Sequence, residues 1–106
     1  MKRTIWGMLL IVLLAVPLSA EVLFKSVSAT TTSKTIPLGS RYVQVINDGS
    51  DTIYVRVFSI AEAPGAATTS NGPIYNGEGF TFEPGGGVGS ISILSAGNST
   101  VRLFYE

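Results

Sequence analysis

The sequence predicts an all-β domain, a small antiparallel β-sandwich or barrel of about six to seven strands, preceded by an N-terminal hydrophobic helix. The 86 residues after residue 20 contain eleven Gly, four Pro and twenty Ser or Thr, a composition typical of short strands joined by turns. Within them no segment carries apolar residues at helical spacing over three turns, whereas several short runs alternate apolar and polar residues. We therefore expect three parts: residues 1–20, a strand and a Ser/Thr-rich linker over 21–40, and a β-sandwich domain over 41–106.

Residues 1–20 have the order of a secretory leader. Lys2 and Arg3 precede an apolar run that is followed by Pro17 and by a small residue, Ala20. Residues 4–20 would span about 25 Å as a helix, which is short for a hydrocarbon core of roughly 30 Å. The segment is therefore predicted to be a cleaved signal peptide, with a retained membrane anchor as the alternative. Either way the domain is exported, secreted or held outside a membrane.

The first half of the domain is expected to contain three strands. Residues 22–27 form a strand candidate, and the Ser- and Thr-rich residues 28–35 form a connection. Residues 41–47 and 52–59 both alternate, and an Asp-Gly turn at residues 48–51 separates them. Two alternating runs around such a turn predict a β-hairpin.

The second half repeats this pattern with shorter strands. Residues 60–72 are predicted to form a surface loop, and residues 84–87 and 96–99 are predicted to form turns, the latter in a second hairpin. The strand candidates are residues 74–75, 79–83, 88–94 and 100–105. The alternation predicts one core, formed by Val43, Val45, Ile53, Val55, Ile91, Ile93 and Leu103.

The composition excludes most catalytic mechanisms and metal sites. The chain has no Cys and no His, so it lacks a thiol nucleophile, the usual metal ligand and the usual general base. We expect no enzymatic activity and no cofactor. Asp48 and Asp51 are a weak calcium candidate, but calcium takes six to eight oxygens and a hairpin turn explains both residues better. Seven cations balance seven anions, so nucleic acid is not an expected partner.

The face opposite the predicted core is unusually rich in aromatic residues and Arg. A solvated sheet face normally carries Thr, Lys and Glu, whereas Tyr, Phe and Arg are enriched in protein interfaces. The predicted interface residues are Tyr42, Tyr54, Arg56, Phe58, Arg102 and Phe104. The alternative is that a second sheet, or the strand at residues 22–27, covers them inside the monomer. A domain of this size buries two apolar faces with difficulty, which favours self-association.

Residues 42–55, with the later Phe-Glu-Pro-Gly-Gly at 82–86 and Asn-Ser-Thr-Val-Arg-Leu at 98–103, resemble small β-sandwich structural proteins of bacteriophage virions. The resemblance covers about sixty residues and implies a non-enzymatic structural role. Virion proteins assembled in the cytoplasm need no leader. With a leader, the resemblance implies a virion that contains or crosses a membrane, or a bacterial surface protein of similar build.

Two functions of different class follow. The first is a structural assembly protein, exported or membrane-anchored through residues 4–20, that packs through its Tyr/Phe/Arg face into a virion or surface assembly. The second is a secreted module that binds a glycan or polymer through the loop at residues 60–72 and the turn at 48–51.

Overall fold

A computed structural model describes residues 22–106 of the chain, and these residues form eight β-strands in two four-stranded antiparallel sheets. The strands are β1 (Leu23–Ala29), β2 (Lys34–Ser40), β3 (Val43–Asn47), β4 (Ile53–Phe58), β5 (Gly72–Ile74), β6 (Gly79–Phe82), β7 (Val88–Ser95) and β8 (Ser99–Tyr105). The strand order is β1-β8-β3-β6 in one sheet, here the β1 sheet, and β2-β7-β4-β5 in the other, the β2 sheet.

The chain crosses between the two sheets at almost every connection. Of the consecutive strands, β4 and β5 alone pair with each other within the described residues. Eight strands wound in this way over two facing sheets form a jelly roll. The predicted all-β antiparallel sandwich is therefore confirmed, while the predicted N-terminal helix lies in residues 1–20, outside the described part of the chain.

Both predicted hairpins are wrong. The turn at residues 48–51 joins β3 of the β1 sheet to β4 of the β2 sheet. The turn at 96–99 likewise joins β7 of the β2 sheet to β8 of the β1 sheet. The two corners lie side by side, because the Asp51 Oδ2 accepts a hydrogen bond of 2.9 Å from the Asn98 backbone N–H. An Asp-Gly turn reverses the chain equally well within a sheet and between two sheets, so the local signal does not identify the partner strand.

Strand β2 was not predicted, because its first residues were assigned to the Ser/Thr-rich connection. Its Pro37 lacks a backbone donor and is compatible with an edge strand, and β2 pairs with β7 alone. The register shifts between Pro37 and Ser40, where Gly39 adopts a φ of 61°. Glycine tolerates this left-handed conformation, as in a β-bulge. The jelly roll therefore includes residues 23–40 as two of its outer strands.

The core fills the space between the sheets. All seven predicted core residues are buried there, which confirms the inward faces of β3, β4, β7 and β8. Ala29, Ile36, Ile74, Val88 and Val101 complete the buried cluster. Among residues 22–106, no helix is both long enough and apolar enough to cross a membrane.

Candidate functional site

The six predicted interface residues do not share one surface. Tyr54, Arg56 and Phe58 belong to β4 and point outward from the β2 sheet. Arg102 and Phe104 belong to β8 and point outward from the β1 sheet, on the opposite side of the sandwich. Tyr42 lies in the short connection between β2 and β3. The split follows from the jelly-roll topology, which assigns β4 and β8 to different sheets.

A loop covers part of the outer face of the β2 sheet. Residues 59–71 connect β4 to β5 and fold back over β4, so that Phe58 is only 4% exposed. A Cβ built on Gly65 would lie 3.8 Å from the Phe58 ring. The Arg56 guanidinium stacks 4.8 Å from the centre of that ring and donates a hydrogen bond of 3.2 Å to the Ala66 carbonyl. Phe58 therefore packs inside the monomer and the exposed Arg56 bonds to the same loop, whereas the alternative interpretation named a second sheet or the strand at residues 22–27 as the cover.

Side-chain hydroxyl groups hold this loop in place. The fully buried Ser92 Oγ donates to the Gly65 carbonyl and lies 2.8 Å from the Thr35 Oγ1. The Ala67 backbone N–H donates to the Ser33 Oγ at 2.9 Å, and Ala67 is itself buried. Because these bonds reach both β7 and the connection that precedes β2, the loop is part of the folded domain.

The outer face of the β1 sheet has no such cover within residues 22–106. Phe104 of β8 is half-buried and lies directly opposite Phe24 of β1, with ring centres 5.1 Å apart and planes tilted by 46°. Phe24 is 55% exposed. The remaining outward side chains of this face are exposed or half-buried, namely Ser26, Ser28, Gln44, Ile46, Thr81, Thr100 and Arg102. We call these residues, with Phe24 and Phe104, the aromatic face.

Charged residues flank the aromatic pair. The Arg102 guanidinium forms an ion pair of 2.8 Å with the Asp48 carboxylate, and both side chains are about half exposed. Such an exposed pair contributes little to stability, about 0 to 1 kcal/mol. Arg102 is thereby held at the surface beside Phe104. Tyr42 is half-buried and lies beside Arg41, whose guanidinium is 5.7 Å from the tyrosine ring centre.

Sequence reasoning missed Phe24, which completes the aromatic pair. The residue belongs to a strand that was predicted, but the alternation of residues 22–27 has apolar residues on both faces and does not indicate which face is outward. The register of β1 against β8 decides this, since Phe24 pairs with Phe104.

The two calcium candidates, Asp48 and Asp51, form bonds with other residues of the chain. Asp48 pairs with Arg102, and Asp51 accepts the Asn98 N–H described above. Within residues 22–106, no group of three His, Cys, Asp or Glu side chains could hold a metal ion. An open polar cleft of about 370 Å³ lies beside these corners, lined by Ser28, Ala29, Gly49, Ser50, Asn98, Ser99 and Thr100. No carboxylate of residues 22–106 lines this cleft.

Fold and surface together define residues 22–106 as a small jelly roll with one sheet face partly covered by a loop and the other face open within these residues. No protein-family model matches the sequence, and no curated protein matches it. Solved structures show the fold. Streptomyces albus HEPD, with 2-hydroxyethylphosphonate and Fe(II) bound, is 15% identical with a TM-score of 0.58, covering 84% of this chain and 19% of that chain. This chain therefore spans about a fifth of that protein's length.

Two further structures are similar in fold. A cupin-2 domain-containing protein from Shewanella frigidimarina is 11% identical with a TM-score of 0.50, covering 78% of this chain and 68% of that one. The SPBc2 prophage-derived protein YomS is 16% identical with a TM-score of 0.49, covering 80% of this chain and 94% of that one.

Proposed function

We propose that this chain is a non-enzymatic structural subunit, exported or membrane-anchored, that associates with protein partners through its aromatic face in a virion or surface assembly. The observation that carries the proposal is the contrast between the two sheets. The chain covers the centre of the outer face of the β2 sheet with its own loop, whereas within residues 22–106 Phe24 and Arg102 are exposed and Phe104 is half-buried on the β1 sheet.

The chemistry of this face suits a protein contact. Exposed apolar rings lose water contacts when a partner covers them, at roughly 25 cal/mol for each Å² of apolar surface. A Phe side chain has only two torsions, so binding orders few of them. Aromatic residues and Arg are the residue types that contribute most to binding energy at the centres of interfaces.

The resemblance to virion structural proteins and the leader at residues 1–20 support the location of the assembly. The chain has no His and no Cys to act as base or nucleophile, which supports a role without catalysis. Export and processing remain part of the proposal.

Particle mass measured over a concentration series tests the proposal. We expect the wild type to associate, and Phe104→Ala or Phe24→Ala to weaken association by about thirtyfold, the equivalent of about 2 kcal/mol for a central anchor. Tyr75→Ala is the matched control, because Tyr75 is an equally exposed aromatic residue outside this face. A wild type that stays monomeric at high concentration would contradict the proposal.

A second candidate, binding of a glycan or polymer, is favoured by the polar cleft beside the corner turns. The turn at residues 48–51 precedes β4 and the loop at residues 60–72 follows it, and the cleft is lined by the turn and not by the loop. The cleft would bind the glycan or polymer through its own Ser, Asn and Thr side chains. Binding to a panel of glycans that Ser50→Ala with Thr100→Ala abolishes would support this function over assembly.

A further inference from the structure

The sandwich has two open sides, where edge strands of the two sheets face each other. One side is formed by β1 and β2, and the other by β5 and β6. Each of these strands has one ladder partner among the described residues, so its other edge is unpaired. An unpaired strand edge offers backbone donors and acceptors that a second chain can complete.

Exposed apolar residues are found on both open sides. Leu23, the first residue of β1, and Val22 just before it are each 47% exposed. On the other side, Phe80 of β6 is 51% exposed and lies next to Phe82, with ring centres 6.5 Å apart. A groove of about 310 Å³ runs between β6 and β5, lined by Val55, Gly72, Pro73, Ile74, Phe80 and Phe82.

The groove continues past the end of β5. The short β5 pairs with residues 53–55 of β4, so Val57 of β4 has a ladder partner in β7 alone and is half-buried. A second cavity of about 390 Å³ adjoins the first at Phe82 and is lined by Val57, Ser59, Glu62, Thr81, Phe82, Glu83 and Pro84. We call these two adjoining cavities the trough; its β5 end is mostly apolar, and its other end is mixed and includes Glu62 and Glu83.

The two open sides carry opposite charge. Residues 22–40, which form β1 and β2, contain Lys25 and Lys34 and no acidic residue. Residues 57–101, which include β5 and β6, contain Glu62, Glu78 and Glu83 and no Lys or Arg. The ion pairs of the described chain join Arg41 to Glu106 and Arg102 to Asp48. The lysines of the β1/β2 side and the glutamates of the β5/β6 side therefore form no ion pair within one copy.

We propose that the β1/β2 side of one copy of this chain binds the β5/β6 side of the next copy. The unpaired edge of β1 lies along that of β6, which brings Leu23 and Lys25 of one copy to the trough and the glutamates of the next, Glu83 among them. The inference deepens the proposed function and rests on it, since it names a second contact surface for the assembly. The two sides differ, so the contact is heterologous and repeats head to tail, giving a ring if the rotation closes and a filament if it does not.

A charge exchange between two variants tests this contact. In Lys25→Glu, an acidic edge would meet an acidic trough, and in Glu83→Lys, two cations would meet. Like charges across an interface are strongly unfavourable. We expect either variant of the full chain to associate at least about tenfold more weakly than the wild type in sedimentation, with an unchanged melting temperature.

An equimolar mixture of the two variants should recover association. The acidic β1 edge of the Lys25→Glu variant would meet the basic trough of the Glu83→Lys variant, and the remaining contact in the alternating chain is wild type. The double variant Lys25→Glu/Glu83→Lys should recover as well. Association should weaken with added salt, because exposed charges are screened.

Distinct results would overturn the edge contact and the aromatic face. Single variants that associate like the wild type, or a mixture that fails to recover, would overturn the edge contact. If Phe104→Ala weakens association while the charge variants do not, the aromatic face stands and the edge contact falls. A monomeric wild type would overturn both, and would assign Lys25 the role of a charge that keeps an edge strand from pairing.

Discussion

The Ser99 Oγ donates a hydrogen bond of 2.6 Å to the Asn47 Oδ1, in a fully buried position at the end of the sandwich where two corners meet. The same Oδ1 accepts from the Gly49 N–H, and the Asn47 Nδ2 donates to the carbonyls of Asp51 and Ile74. Asn47 belongs to the β1 sheet and Ile74 to the β2 sheet. One amide side chain therefore connects both corners and both sheets.

Asn47→Ala should strongly destabilise the fold. The change removes four hydrogen bonds and leaves buried donors and acceptors without partners, each costing about 1 to 3 kcal/mol. We expect a loss of about 3 kcal/mol or more in the free energy of unfolding, measured by urea denaturation. Asn76→Ala is the control, since Asn76 is an exposed residue of the turn between β5 and β6. Equal stability of the two variants would contradict the role of Asn47.

Gly49→Ala should also be destabilising, for a steric reason. A Cβ at this position would collide with the Ser99 side chain and lie 2.6 Å from the Thr100 backbone nitrogen. Strand β8 would have to move, and overpacking of this kind typically costs about 1 to 3 kcal/mol. Gly85→Ala is the matched control, because nothing lies within 4 Å of a Cβ there. Thermal melting compares the two, and a wild-type melting temperature for Gly49→Ala would show that the corners are not tightly packed.

Phe58→Ala should lower stability without affecting association. Phe58 is buried under the chain's own loop, and truncating a buried Phe costs roughly 3 to 5 kcal/mol. Phe80→Ala should cost much less, because half of that side chain is exposed in the folded monomer. Denaturation curves with particle masses check both quantities. If Phe58→Ala instead weakened association and left the melting temperature unchanged, Phe58 would belong to the predicted interface.

Cleavage after Ala20 would produce a chain that starts at Glu21. Trp6, Met1 and Met8 lie upstream, so the mature protein would contain no Trp and no Met. The intact mass of the native protein measures this directly. Ala20→Phe should block processing, because the cleavage site requires a small residue. A native mass that includes residues 1–20 would establish the retained segment instead.

The candidate site was only partly predictable from the sequence. The sequence identified an aromatic, Arg-rich surface opposite the core, and it placed Phe104 and Arg102 on that surface. It joined them to Arg56 and Phe58, because the predicted hairpins implied continuous sheets. In the structure Phe58 lies under a loop on the other side of the sandwich, and the exposed Arg56 bonds to that loop. Phe24 replaces them as the neighbour of Phe104.

The sequence by itself determined the all-β class, most of the strands and the inward face of each central strand. These features are local, since alternation with period two records which side of a strand is buried, whatever strand lies next to it. The tertiary structure decided which strands pair, where the chain crosses between sheets and which outer face stays open. These depend on contacts between distant residues, such as Asn47 with Ser99 or Ser92 with Gly65. No local pattern encodes such a contact, because a turn residue stabilises a reversal of the chain without selecting the strand that pairs after it.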